Sequence, residues 1–406
     1  MEYPVLIIGG GISGITAAVE LAEAGQKVVL VEKEDYLGGK VAAFNNYFPK
    51  LCPPSCGLEI NYRRLRSNSR ISYYTGAIVK GICGSEGKYS VSLDLKPRLI
   101  NNLCTACGKC AEVCPVERPG IPGRKKGEKA AFIRDGMPFP MKYCIDPEVC
   151  KGQSCGRCLE VCAHEAIQLD AASAQVSMEA ERIIVATGWE LYDASHLENY
   201  LYRQEEDVVN NLEFEQLLAA CRRDKSELLI PSDNQKPRRI AFIQCAGSRD
   251  IHHLPYCSSV CCSASLKHAL TLEKEFPDIE TEVFYIDMRI SGRNEKLLKV
   301  AEGKENIKLT KGKVGRILKS ADSKDLVLEV EDIAAQSKRR EAFDMVVLAM
   351  GLVPAPLYAD VEVNEFGFFQ GRQSTGIIPA ASCKRPMDVS SSVKDATAAA
   401  LKAMQR

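Results

Sequence analysis

The chain carries no charge excess of either sign: 53 basic residues face 53 acidic ones across 406. A protein that tracks nucleic-acid phosphates carries a clear basic surplus, so nucleic acid is not an expected partner. Long apolar runs are also missing. Nothing approaches the roughly 18 consecutive apolar residues of a spanning helix, which excludes a direct membrane span. The opening Met1-Glu2-Tyr3-Pro4 has neither the basic start nor the cleavage site of an export signal, and a cytoplasmic location is expected. No Ser/His/Asp set and no paired-carboxylate site emerges, which leaves the chemistry to cofactors. Against these absences stands one excess, 18 cysteines. In a chain without an export signal that number points to metal or redox chemistry rather than to disulfide staples.

Val5 to Ile8 is a short β-branched run ending in Gly9-x-Gly11-x2-Gly14. An amphipathic stretch, Ile15 to Ala24, follows, and a second strand-like run, Lys27 to Val31, ends at Glu32. Strand, glycine turn, helix, strand and acid make a dinucleotide-binding unit. Gly9 allows the tight turn, Gly11 lets backbone approach a pyrophosphate, and Gly14 lets helix pack on strand. The helix N-terminus faces the phosphates, and Glu32 is placed to accept from a ribose diol. The continuation Glu32-Lys33 and Leu37-Gly38-Gly39-Lys40 resembles the flavoprotein disulfide reductase superfamily, which implies FAD. Val185-Ala186-Thr187-Gly188 resembles that superfamily's strand end returning toward the flavin. Gly376 to Ser382, with the small-residue helix Ser390 to Met404, resembles its closing FAD segment. The resemblance extends cofactor contact to Lys33, Gly39, Lys40, Thr187, Gly188, Cys383 and Val389. Members usually carry an Asp where this chain reads Ala381-Ser382-Cys383.

Cys104-x2-Cys107-x2-Cys110-x3-Cys114-Pro115 has bacterial ferredoxin spacing. Three such thiolates wrap one face of a [4Fe–4S] cubane, and the fourth, before proline, usually ligates a second cluster. A zinc site would not need the third closely spaced cysteine or the Cys-Pro. The partner run, Cys150-x4-Cys155-x2-Cys158-x3-Cys162, is a longer variant, with Cys144 as a spare ligand. Cross-ligation as in two-cluster ferredoxins pairs Cys104, Cys107 and Cys110 with Cys162, and Cys150, Cys155 and Cys158 with Cys114. The basic stretch Gly120 to Lys129 between the two runs reads as a solvated loop.

Arg239 to Gln244 is again strand-like, but it leads into Cys245-Ala246-Gly247-Ser248-Arg249-Asp250 instead of a glycine-rich turn. Backbone cannot approach a pyrophosphate across Arg249 and Asp250, so NAD(P)H is not expected here. Cys245, Cys257, Cys261 and Cys262 make a complete ligand set for a third cluster, or else a group of small buried residues lining the turn. The segments Phe242 to Asp250 and Tyr256 to Cys262 resemble the A subunit of heterodisulfide reductase. Phe48-Pro49-Lys50-Leu51-Cys52-Pro53-Pro54-Ser55-Cys56-Gly57-Leu58-Glu59 and the overall length are similar to its relative in sulfate reducers. That relative is the A subunit of the quinone-interacting membrane-bound oxidoreductase (Qmo) complex. The resemblance implies cluster ligation by Cys245, Cys257, Cys261 and Cys262. The partners it implies are a quinone-facing membrane subunit, holding this chain at the inner membrane, and a second flavoprotein/iron–sulfur subunit. The implied role is electron exchange between the quinone pool and adenylylsulfate reductase. The alternatives are a heterodisulfide reductase-type flavoprotein, with or without electron bifurcation, and a stand-alone disulfide reductase. In the last case Cys52 and Cys56 would be the catalytic pair; cluster ligation and plain buried thiols are the other readings of those two. Cys83 and Cys221 read as core residues.

The expected fold is α/β. A disulfide reductase-like, Rossmann-type FAD domain is assembled from residues 1–96, 171–235 and 346–406. A ferredoxin-like iron–sulfur insert spans 97–170, and a second, nucleotide-free Rossmann-like domain spans 236–345.

Overall fold

The computed structural model describes residues 4–118, 128–134, 136–290, 292–320, 324–357, 361–371, 373 and 375–405. Val5–Ile8 and Val28–Val31 are too short and too apolar to be anything but strands buried on both faces. They pair in parallel, Val5 opposite Val28, at the centre of a five-stranded sheet. Its order is Ile378–Pro379, Arg182–Val185, Val5–Ile8, Val28–Val31 and Ile71–Tyr74, all parallel. Successive side chains point to opposite faces. Val5 and Ile7 therefore enter one core with the helices Ile12–Glu23, Ser55–Ser67 and Val389–Met404. Leu6 and Ile8 enter another, against the antiparallel sheet of Ala77–Ser85, Lys88–Leu95 and Ala174–Ala180. The result is three layers.

The insert has a small core of its own, including Leu99, Ile100, Ile145, Ala166 and Ile167. Its two short helices, Lys109–Glu112 and Arg157–Val161, are each opened by a left-handed glycine, Gly108 (φ 87°) and Gly156 (φ 58°). Of the basic stretch between the cysteine runs, residues 120–127 lie outside the described residues. Glu128–Lys129 pairs antiparallel with Glu117–Arg118.

A seven-stranded sheet forms the second domain. Val208–Asn210, Met345–Met350, Arg239–Ala246, Glu280–Tyr285 and Ile307–Lys319 run parallel, and Leu326–Asp332 and Ser337–Phe343 complete an antiparallel meander. The boundaries expected at 171–235 and at 346 therefore shift. Val208 pairs with Val346, and a capping box at Asn210 and Glu213 starts the helix Asn211–Asp224 on this sheet. Met345–Met350 is buried throughout because both its faces are covered: Met345 and Val347 enter one core, Val346, Leu348 and Met350 another. Cys221 is buried as expected, whereas Cys83 is exposed on a strand whose outer half faces solvent.

Candidate functional site

At the end of the first strand, Gly9 turns with φ 107°. A Cβ there would sit 2.3 Å from Ala186 O, and one on Gly14 would sit 1.8 Å from Gly9 O. Gly14 is thus the helix–strand contact. Gly11 is different: the nearest atom to a Cβ is Gly39 Cα at 3.8 Å, and the residue lines a cavity of about 1110 Å³. That volume lies just above the roughly 300–1,000 Å³ of ordinary ligand pockets, as an extended dinucleotide requires. Glu32 lines it too. Its carboxylate accepts from Gly10 N (2.6 Å) and Glu34 N (2.9 Å), while burial raises its pKa against those two bonds. The Thr187 hydroxyl is buried in the cavity wall beside Gly188, without a partner among the described residues. The helix Val389–Met404, packed in the same core as Ile12–Glu23, also reaches the cavity, its Asp388 cap accepting from Ser391 N at 2.7 Å, with Asp388 and Val389 in the wall. Lys33, Gly39 and Lys40 also line the cavity; Lys40 donates to Trp189 O (2.7 Å) and pairs with Glu190 (2.9 Å). A bare glycine turn, a buried acid and an unpartnered hydroxyl around one elongated space fit FAD. Cys383 stands apart from this wall. It is fully buried in the core, its Sγ bonded to Val185 O and Ala380 O, and Ser382 faces the cavity instead.

Sequence reasoning missed part of the cavity wall. Glu215, Lys267 and His268 line it, all nearly sealed from solvent. Glu215 accepts from Asn45 N (2.8 Å) and Asn46 N (3.2 Å) on one oxygen, and from Lys267 Nζ (2.5 Å) and His268 Nε2 on the other. Burial would raise the Glu215 carboxyl, but Lys267 and His268 outweigh it and hold it far below the usual range. Burial drives the Lys267 and His268 conjugate acids down. His268 Nδ1 has no partner among the described residues, which suits a neutral ring donating from Nε2. The available signal was Lys267-His268 inside the buried stripe of the helix Cys261–Glu275.

Cys104, Cys107, Cys110 and Cys162 line one small cavity together with Ile100, Tyr143 and Ile167. Cys158 lies within electrostatic reach of Cys150, Cys114 and Cys155. Cys261 has Cys262, Cys245 and Cys257 as its thiol neighbours. Backbone N–H groups point at several of these sulfurs: Ala106 to Cys104, Gly152 to Cys150 and Ala166 to Cys162 at 3.4 Å, and Ser259 to Cys257 at 3.3 Å. Such bonds tune cluster potentials. Burial pushes the thiols of Cys110 and Cys262 up to about 11, and Cys261 further. Only a bound cation would hold them as thiolates. Among the described residues, no group of three or more His, Cys, Asp or Glu converges on a single ion. Four thiols spread around a space suit a cubane, whose sulfur ligands stand farther apart than those of one ion.

Cys144 sits with Asp35, Tyr36, Lys142 and, from the first run, Cys104. Cys52 is half-buried, and Cys56 is exposed in the first turn of Ser55–Ser67; both flank the Tyr47 hydroxyl, and neither lines the large cavity. In the second domain Tyr192 covers Gly247, 2.7 Å from where its Cβ would be, and the adjoining cavity holds about 310 Å³.

Residues 4–49 match the family model for FAD dependent oxidoreductases, and residues 97–117 match that for the 4Fe-4S binding domain. A solved thioredoxin reductase from T. acidophilum superposes with a TM-score of 0.55 at 14% identity, covering 99% of this chain and 97% of that one. Fold and site define an FAD-dependent oxidoreductase with a disulfide reductase-like fold and a [4Fe–4S] domain. The chain is 32% identical to the A subunit of the ferredoxin:CoB-CoM heterodisulfide reductase of Methanosarcina acetivorans, over 98% of this chain and 56% of that protein. It is 35% identical to the A subunit of the H(2):CoB-CoM heterodisulfide,ferredoxin reductase of Methanothermobacter marburgensis, over 96% of this chain and 59% of that protein. The chain belongs to the family of FAD/[4Fe–4S] proteins typified by the A subunit of heterodisulfide reductase, and it spans less than two thirds of the length of those two relatives. Among the described residues no helix is long and apolar enough to cross a membrane.

Proposed function

We propose that this chain is the electron-distributing flavoprotein subunit of a heterodisulfide reductase-type complex. Bound FAD exchanges electrons in pairs or singly and [4Fe–4S] clusters exchange them singly, so together they join a two-electron reaction to a one-electron relay. The observation that carries this reading lies on one helix. Cys261–Glu275 begins with two of the candidate cluster thiols and, further along, presents Lys267 and His268 to the flavin cavity. The glycine turn, Glu32 and Thr187 would hold the dinucleotide, and Asn45 and Asn46 fix one Glu215 oxygen. Lys267 Nζ can then give up or regain a proton at the cavity wall, with Glu215 stabilising its charge. Cys104, Cys107, Cys110 and Cys162 would hold one cluster; Cys114, Cys150, Cys155 and Cys158 a second; Cys245, Cys257, Cys261 and Cys262 a third. Partner subunits would complete the complex, among them a second flavoprotein/iron–sulfur subunit. Cys52 and Cys56 lie outside the cavity wall, which gives a stand-alone disulfide reductase less support. The test is iron, sulfide and flavin quantitation with low-temperature electron paramagnetic resonance on anaerobically purified protein. About twelve iron and one FAD per chain are expected; a colourless or zinc-filled preparation overturns the reading.

The finer assignment, to the A subunit of the Qmo complex, draws its support from the stretch Phe48 to Glu59. It would set this chain beside a quinone-facing membrane subunit, exchanging electrons between the quinone pool and adenylylsulfate reductase. Co-purification with those proteins, and flavin reduction by a menaquinol analogue in the assembled complex, are expected if it holds. Co-purification with heterodisulfide reductase catalytic subunits would replace it.

A further inference from the structure

The ferredoxin insert reaches into the flavin cavity. Arg118, Phe132 and Arg134 line the same space as Gly11 and Glu32. They stand at the end marked by Glu32, where a dinucleotide places its adenosine ribose. The Arg118 guanidinium lies 3.5 Å over the Phe132 ring, and Tyr36 meets that ring edge-on at 6.2 Å. Glu128 and Asp146, both from the insert, hold Arg118 in that position. Arg134 donates to Leu37 O (3.2 Å) and Gly39 O (2.8 Å). It thereby fixes the loop whose Gly38 N–H bonds to Gly10 O across the glycine turn. Tyr36 returns the contact by donating to Lys142 O at 2.8 Å.

A stacked Arg–Phe plate in the wall of a nucleotide cavity is a surface for a planar base, because both the ring and the guanidinium stack favourably on aromatic faces. We propose that the insert supplies the adenosine half of the flavin site. The Arg118–Phe132 plate would take the adenine ring and Arg134 would set the loop beside the pyrophosphate, so that this chain selects FAD over FMN through its iron–sulfur module. Cofactor binding and docking of the insert are then a single event.

The experiment uses the full-length protein, stripped of flavin with its clusters retained, and titrates FAD and FMN by flavin fluorescence. Phe132→Ala and Arg118→Ala each weaken FAD about tenfold and leave FMN unchanged, with iron per chain unaltered. Phe132→Trp, which keeps an aromatic face, retains wild-type affinity. Should Phe132→Ala fail to fold, Phe132→Leu keeps apolar volume without the face and carries the same expectation. Wild-type FAD affinity in Phe132→Leu and Arg118→Ala overturns the proposal. So does an equal loss for FAD and FMN, which would mean general loosening of the cavity.

Discussion

Lys267 Nζ stands 2.5 Å from Glu215 Oε2, with both side chains shut away from solvent between two helices of the second domain. Neither charge has water to fall back on. Removing one partner leaves the other buried and uncompensated, which costs about 3–5 kcal/mol. Glu215→Ala should therefore lower stability by about that much in urea unfolding. Glu215→Ala with Lys267→Met should recover a large part of it. If the double variant is as unstable as the sum of the singles, the two residues are not coupled.

His268 gives the same cluster a pH dependence. Burial, then Lys267, keeps its ring neutral below the ordinary value of 6.5. As pH falls through about 6.5 the unfolded chain takes up this proton and the folded chain does not, so stability declines on the acid side. The loss between pH 7.5 and 5.5 should be smaller in His268→Gln than in the wild type. Identical losses would show that His268 titrates alike in both states.

Gly11 and Gly14 separate binding from folding. Gly14→Ala drives a methyl into the Gly9 carbonyl and should cost about 1–3 kcal/mol of stability, whatever the flavin content. Gly11 has φ −73° and open space at its Cβ, so Gly11→Ala should fold normally and lose flavin. Thermal unfolding of flavin-free protein and flavin content after purification check the pair.

Cys162 lies far along the chain from Cys104, Cys107 and Cys110, yet it lines their cavity. Cys162→Ser should remove about four iron atoms per chain and the paramagnetic signal of one cluster, leaving flavin content intact. Cys144→Ser should leave the iron content unchanged. Loss of iron in the second variant and not the first would reassign the ligands.

The glycine turn and the first cysteine run were legible because their residues act on near neighbours: a turn needs its glycines in sequence, and a cubane face needs thiols three positions apart. The trio of Glu215, Lys267 and His268 was not, since two helices deliver it and no spacing rule links them. Cys383 was misread by one position, because Ser382 takes the cavity side of a short turn whose residues are all buried. The domain boundary failed for a related reason. Val208–Asn210 is three residues long, and its sheet membership depends on Val346, far downstream.

The five-stranded sheet has an order of assembly built into it. Ile184 pairs with Ile378, so this edge strand, and the cavity-lining residues Ser382 and Val389 that follow it, leave the ribosome after every cysteine in the insert has already emerged. Iron–sulfur delivery to the nascent chain can therefore precede flavin capture, and a cell that reverses the sequence must do so on a finished polypeptide.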